Sequence, residues 1–222
     1  MRILYLHGLG SSKLANTPKT LQTLLKEDEV ASIDIPMSPF KAVQAISAFV
    51  DIYRPDLLLG TSLGGFYASL CKAPRRVITN PALRPDLEIK AILGGFGTYP
   101  YLKEREDGAK TYDYTVEDER EFKILREKAL TEFYPHIKEE TYAFFGDRDD
   151  LVNDRAYFEE HFLGCNAFSF PTGHRLEDEV IVSDLAPFLS CLKIRGFEDE
   201  LSKRGDRPLR EFMREFLDIH GQ

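Results

Sequence analysis

Gly60-Thr61-Ser62-Leu63-Gly64 sets a single hydroxyl among glycines, where the apolar run Leu57-Leu58-Leu59 gives way to Gly-Gly-Phe-Tyr-Ala-Ser-Leu. A chain that leaves a strand and enters a helix without a loop must turn sharply, and Ser62 would stand at the apex of that turn. The elbow glycines Gly60 and Gly64 remove Cβ atoms that would strike the neighbouring strand and helix. A hydroxyl held there faces a helix N-terminus, where N–H groups and the helix dipole favour developing negative charge. The chemistry this suits is nucleophilic attack. Serine is a poor nucleophile near neutral pH, so a base is needed, and the base needs an acid to orient it.

The chain has 5 histidines. His174, in Phe-Pro-Thr-Gly-His-Arg, follows an apolar strand-like segment on a loop and is the candidate base. His7 precedes Gly8 and reads as a loop-fixing residue, while His136 and His161 lie in helix-like contexts and His220 lies near the C-terminus. Asp147, Asp149 and Asp150 follow another apolar segment, so the order Ser, Asp, His is the one a nucleophile elbow requires. The spacing G-x-x-D-x-x-V from Gly146 to Val152 selects Asp149. Asp147 stays as the alternative, because a bulge or a different loop turn would point it inward. The backbone N–H groups of Leu63 and Leu9 are the candidate oxyanion donors.

Other glycine-rich chemistries fit poorly. Gly60, Gly64 and Gly65 do not match G-x-G-x-x-G, and His-Gly-Leu-Gly-Ser-Ser-Lys lacks the glycine before the lysine of a phosphate loop. No H-E-x-x-H or C-x-x-C run is present, so the expectation is a reaction that uses neither a metal nor an organic cofactor.

The elements that must position these residues alternate along the chain. Apolar strand-like runs fall at 2–6, 30–35, 56–60, 75–82, 141–146 and 166–170, with helix-patterned stretches at 19–27, 41–53, 64–70 and 179–192. Strands with little polar alternation, separated by helices, predict an α/β fold with a parallel sheet covered on both faces. Strand order stays open. Ligands in such sheets gather beyond the carboxyl ends of the strands, where Ser62, Asp149 and His174 all fall. Residues 94–135 are too long for a simple connection and read as a cap insertion ending in a charged helix. Its Tyr99, Tyr101, Tyr112 and Tyr114 either line a substrate pocket or pack the cap. Beyond a domain at 1–193, the tail 194–222 carries Leu209, Phe212, Met213, Phe216 and Leu217 at helical spacing. That stripe either docks on its own chain or makes a homodimer contact.

Composition bounds the partners. At 222 residues, one domain is the expectation, and a net charge of −8 without a basic cluster argues against nucleic acid. The 3 cysteines have no paired spacing, which fits a reducing compartment. No signal-peptide pattern and no apolar run near the length of a membrane span appear, so the expectation is a cytoplasmic protein with no membrane partner.

Tyr-Leu-His-Gly-Leu-Gly-Ser-Ser, Gly-Thr-Ser-Leu-Gly-Gly-Phe-Tyr-Ala, Asn-Pro-Ala-Leu-Arg-Pro, Gly-Asp-Arg-Asp-Asp and the late Gly-His together resemble the small bacterial YqiA-like esterases of the α/β-hydrolase superfamily, over Arg2 to Leu192. The resemblance implies an α/β-hydrolase fold with a short helical cap, activity on carboxylic esters with short acyl chains, Ser62 as nucleophile and His174 as base. Its GDE-type acid loop aligns Asp147 with the acid, whereas superfamily spacing favours Asp149. Two other readings remain: a ligand-binding or scaffold protein on the same fold, and a peptidase. The peptidase needs a site for an extended chain that this insertion is too short to build.

Overall fold

A computed structural model describes residues 1–136 and 141–221. The chain builds a six-stranded sheet in which every neighbouring pair is parallel. In chain order its elements begin with β1 (Arg2–Leu6), α1 (Asn16–Leu24), β2 (Glu29–Ser32), α2 (Pro39–Tyr53), β3 (Leu57–Thr61), α3 (Leu63–Leu70), β4 (Arg76–Thr79) and α4 (Pro85–Leu93). A two-stranded antiparallel hairpin follows, β5 (Gly97–Pro100) with β6 (Thr111–Tyr114), and then α5 (Val116–Lys128). The second half contributes β7 (Thr141–Gly146), α6 (Arg155–His161), β8 (Asn166–Phe170), α7 (Asp178–Val180), α8 (Ala186–Cys191), α9 (Phe197–Ser202) and α10 (Leu209–His220). The sheet order is β2-β1-β3-β4-β7-β8.

Side chains on successive strand residues point to opposite faces, so each strand feeds two cores. Ile3, Tyr5, Leu57, Leu59, Val77 and Phe144 join the helices α1, α8, α9 and α10 on one face. Leu4, Leu6, Leu58, Ile78, Ala143 and Phe145 join α2, α3, α4, α5 and α6 on the other. Both faces are therefore apolar, which is why the strands lack polar alternation.

β2 is shorter than the 30–35 run. Its last partner pair is Tyr5↔Ser32, and β1 ends one residue later, so Ile33–Ile35 have no strand to pair with. At the outer edge of β2, the Val30 N–H donates to Gln22 Oε1 and Gln22 Nε2 donates to the Asp28 carbonyl, both at 2.9 Å.

The 94–135 insertion contains strands as well as a helix. Tyr112 and Tyr114 are buried while Thr111 and Asp113 are exposed, the alternation of a half-buried strand. α5 opens with a reciprocal cap, the Asp118 N–H donating to Thr115 Oγ1 and the Thr115 N–H donating to Asp118 Oδ2. Glu121 on α5 accepts from Phe40 N–H at 3.0 Å, which ties the cap helix to the start of α2.

The tail packs on its own chain. Phe212, Met213 and Phe216 of α10 are buried in the same cluster as Ile3 and Leu57 of the sheet. Phe216 lies 5.1 Å, centroid to centroid, from Phe197 of α9. Gln222 lies outside the described residues. No helix among them is long and apolar enough to cross a membrane.

Candidate active site

Ser62 sits between β3 and α3 with φ 56° and ψ −123°, a conformation costly for a residue with a side chain. Main-chain bonds hold it there. Its N–H donates to the Thr79 carbonyl at 3.0 Å, and its own carbonyl accepts from Gly65 at 2.8 Å and Ala82 at 3.1 Å. The tightness of the elbow requires Gly64, since a Cβ on that residue would fall 2.0 Å from the Leu6 carbonyl oxygen.

His174 reaches this serine from the loop after β8. Its Nε2 lies 3.0 Å from Ser62 Oγ and its Nδ1 lies 2.9 Å from Asp149 Oδ2. The carboxylate accepts only, so Nδ1 carries a proton, and in the neutral ring Nε2 then keeps a lone pair facing the hydroxyl. Burial pushes the Asp149 carboxyl up, but bonds from His174 and from the N–H groups of Val152 and Leu151 outweigh it and hold the group below the usual carboxylate range. Asp147 points elsewhere. Its carboxylate is 55% exposed and pairs with Arg148 at 3.5 Å.

The loops that carry Asp149 and His174 are stitched to each other. Asp147 N–H donates to the Phe170 carbonyl at 2.9 Å, and Arg148 N–H to the Thr172 carbonyl at 3.0 Å. Asp149 and His174 thus share a frame beyond the ends of β7 and β8.

Gly8 brings the loop after β1 alongside the serine, its would-be Cβ falling 3.1 Å from Ser62 Cβ. Leu9 follows on that loop, and Leu63 opens α3, where the first N–H groups of a helix have no acceptor within it. His7 is buried and has both ring nitrogens engaged. Ile35 N–H donates to Nε2 at 3.1 Å, so Nδ1 carries the proton and donates to the Gly8 carbonyl at 2.9 Å. Burial is the main cause that lowers its pKa to about 4, keeping the ring neutral. His161 and His220 lie against Tyr157 and Phe216. The side chain of His136 lies outside the described residues.

The cap hairpin rests on the loop that carries Leu9. Leu102 N–H donates to the Gly10 carbonyl at 2.6 Å, and the Tyr112 hydroxyl lies 3.3 Å from where a Cβ of residue 10 would be. Tyr114 is a packing residue, fully buried beside Phe96, and the rings of Tyr99 and Tyr101 lie tilted against Tyr112. Sequence reasoning missed two contributors to this region. Asp154 is fully buried and binds the N–H groups of Leu83 and Arg84 together with the Arg84 guanidinium, pinning the Asn80–Pro85 segment beside the elbow. Asn80 is the other, its side-chain amide joining the loop that carries His174 to Gly146 at the end of β7. No group of three or more His, Cys, Asp or Glu among the described residues is arranged to hold a metal.

A model of the uncharacterised protein family UPF0227 matches residues 2–165. The fold is shared with alpha/beta hydrolase domain-containing protein 10 from mouse, at 13% identity and a TM-score of 0.61, covering 86% of this chain and 89% of that one. It is also shared with Est1E from Butyrivibrio proteoclasticus, at 18% identity and a TM-score of 0.59, covering 85% and 86%. The esterase domain of a Rhodothermus marinus protein aligns at 16% identity with a TM-score of 0.58, covering 85% and 84%. At these identities the likeness is one of fold, the α/β-hydrolase fold. A search of curated proteins finds no match.

Proposed function

The chain belongs to the uncharacterised protein family UPF0227, and from its site we propose that it is a serine hydrolase acting on carboxylic esters or thioesters with short acyl chains. The observation that carries this reading is the unbroken hydrogen-bonded path from Ser62 through His174 to Asp149, at 3.0 and 2.9 Å, in front of a helix N-terminus. Structures of similar fold include an esterase domain and a thioesterase domain, which favours the same reaction class.

In the proposed cycle, Ser62 Oγ bonds to the acyl carbon while its proton passes to His174 Nε2. The charge moves to the carbonyl oxygen, where the N–H groups of Leu63 and Leu9 receive it. Losing one such donor costs about 3 kcal/mol of transition-state stabilisation. As the tetrahedral species collapses, the bond from carbon to the leaving oxygen or sulfur breaks, and the His174 proton goes to the leaving alcohol or thiol. Water then gives a proton to His174 and bonds to the acyl carbon; the bond from that carbon to Ser62 Oγ breaks, the His174 proton returns to Oγ, and the acid is freed. Asp149 holds the imidazole in the required tautomer and stabilises its charged form. The cycle uses no metal or organic cofactor.

The test is labelling with a fluorophosphonate alongside hydrolysis of p-nitrophenyl acetate. Wild type should be labelled at Ser62, and Ser62→Ala should lose labelling and lose about 10⁴-fold or more in kcat. Folded wild-type protein that resists the label and turns over no ester would overturn the reading in favour of ligand binding without chemistry. A series of esters and thioesters of increasing acyl length should show kcat/KM falling as the chain extends.

A further inference from the structure

Asn80, the residue after β4, lies in the left-handed region at φ 43° and is only 1% exposed. Asparagine tolerates that conformation better than most residues. Its side chain is fully occupied by main-chain partners from two loops. Nδ2 donates to the Gly173 carbonyl at 2.9 Å and to the His174 carbonyl at 3.0 Å. Oδ1 accepts from the N–H of Gly146, the residue from which the Asp149 loop departs. The Asn80 N–H donates in turn to the Phe144 carbonyl at 2.7 Å.

One amide therefore clamps the backbone of the base loop to the root of the acid loop, and both to the strand beside the elbow. We propose that Asn80 is a positioning residue for the reaction, holding the His174 main chain so that its ring lies between Asp149 and Ser62. This proposal rests on the hydrolase reading of the same site. Asn80 acts through His174 and touches neither substrate nor reacting atoms.

The chemistry of the clamp makes substitutions informative. Asn80→Asp keeps the size and the tolerance of positive φ, but sets a carboxylate oxygen against two carbonyl oxygens where the amide donated. Asn80→Gly relieves the backbone and removes the clamp altogether, so the chain should fold even if the aspartate variant does not. Both should lower kcat about 100-fold with KM nearly unchanged, the scale of loss expected when a catalytic group is displaced by about 1 Å.

A merely structural role is distinguished by a cycle with His174→Ala. On that background, adding Asn80→Gly should change the residual rate by about twofold or less, since the group it positions is gone. An equal 100-fold drop on both backgrounds would overturn the proposal. A second readout needs no turnover: the downfield proton NMR signal of His174 Nδ1–H should be present in wild type and lost or broadened in folded Asn80→Asp or Asn80→Gly. Loss of that signal in a protein that hydrolyses no ester would keep the clamp and sink the hydrolase reading. Unchanged signal and kcat in an active enzyme would sink the clamp alone.

Discussion

Asp147 and Asp149 stand on one short loop with opposite surroundings. Asp149 has its carboxylate 4% exposed and faces His174, while Asp147 faces solvent and Arg148. In the proposed mechanism Asp149→Asn removes the acceptor that fixes the imidazole tautomer, and kcat should fall about 10³- to 10⁴-fold. Asp147→Asn should leave ester turnover within about twofold, as expected of an exposed ion pair. Comparable rates for the two variants would reassign the acid. His7 carries a different consequence. Its pKa of about 4 lies below that of an unfolded histidine, so between pH 6.5 and 4 the unfolded chain takes up a proton that the folded chain refuses. The stability it contributes is whole above pH 6.5, falls as the pH drops, and levels off near pH 4. The loss should reach about 3 kcal/mol over that window. Urea unfolding at the two ends of the window should show this pH dependence in wild type and a smaller one in His7→Asn.

At the scale of elements, the turn from β3 into α3 has no slack. Gly64→Ala would drive a Cβ into the Leu6 and His7 carbonyls of β1 and its following loop, separating the sheet from the elbow helix. The expected outcome is little or no folded protein by circular dichroism. Gly108→Ala, with open space but φ 72°, should cost only about 1 kcal/mol or somewhat more. The elbow was legible in the sequence because steric necessity and chemistry demand the same glycines. β1, β3, β4 and β7 were legible because burial makes each a largely apolar run, whereas the edge strand β2, with no buried residue, was harder to bound. β5 and β6 were harder. Each has only four residues, and the signal lay in the alternation of Tyr112 and Tyr114 with Thr111 and Asp113. α4 carried readable marks, with Pro85 at its first turn, Asp86 and Glu88 behind it, and Gly94 at φ 79° closing it. Its half-exposed apolar residues blur the helical period. Asn80 and Asp154 gave no local sign, because their partners lie 66 to 94 residues away.

For the molecule as a whole, α9 and α10 complete one face of the sheet. Phe216 packs on Phe197 and Phe212, and Tyr142 of β7 donates its hydroxyl proton to Glu198 of α9 at 2.8 Å. Phe216→Ala should destabilise the fold by about 3–5 kcal/mol and lower the thermal midpoint by roughly 10 °C. Ester turnover at room temperature should persist, since these contacts involve no residue of the Ser62 site. The bare side of the sheet has its own guard. An incoming extended segment from another molecule would seek the amide of Val30, and Gln22 already sits on it. Gln22→Ala would reopen that seam, and crowded samples should then scatter light on gentle warming where wild type stays clear. One surface amide is thus expected to keep this edge from pairing with another copy of the chain.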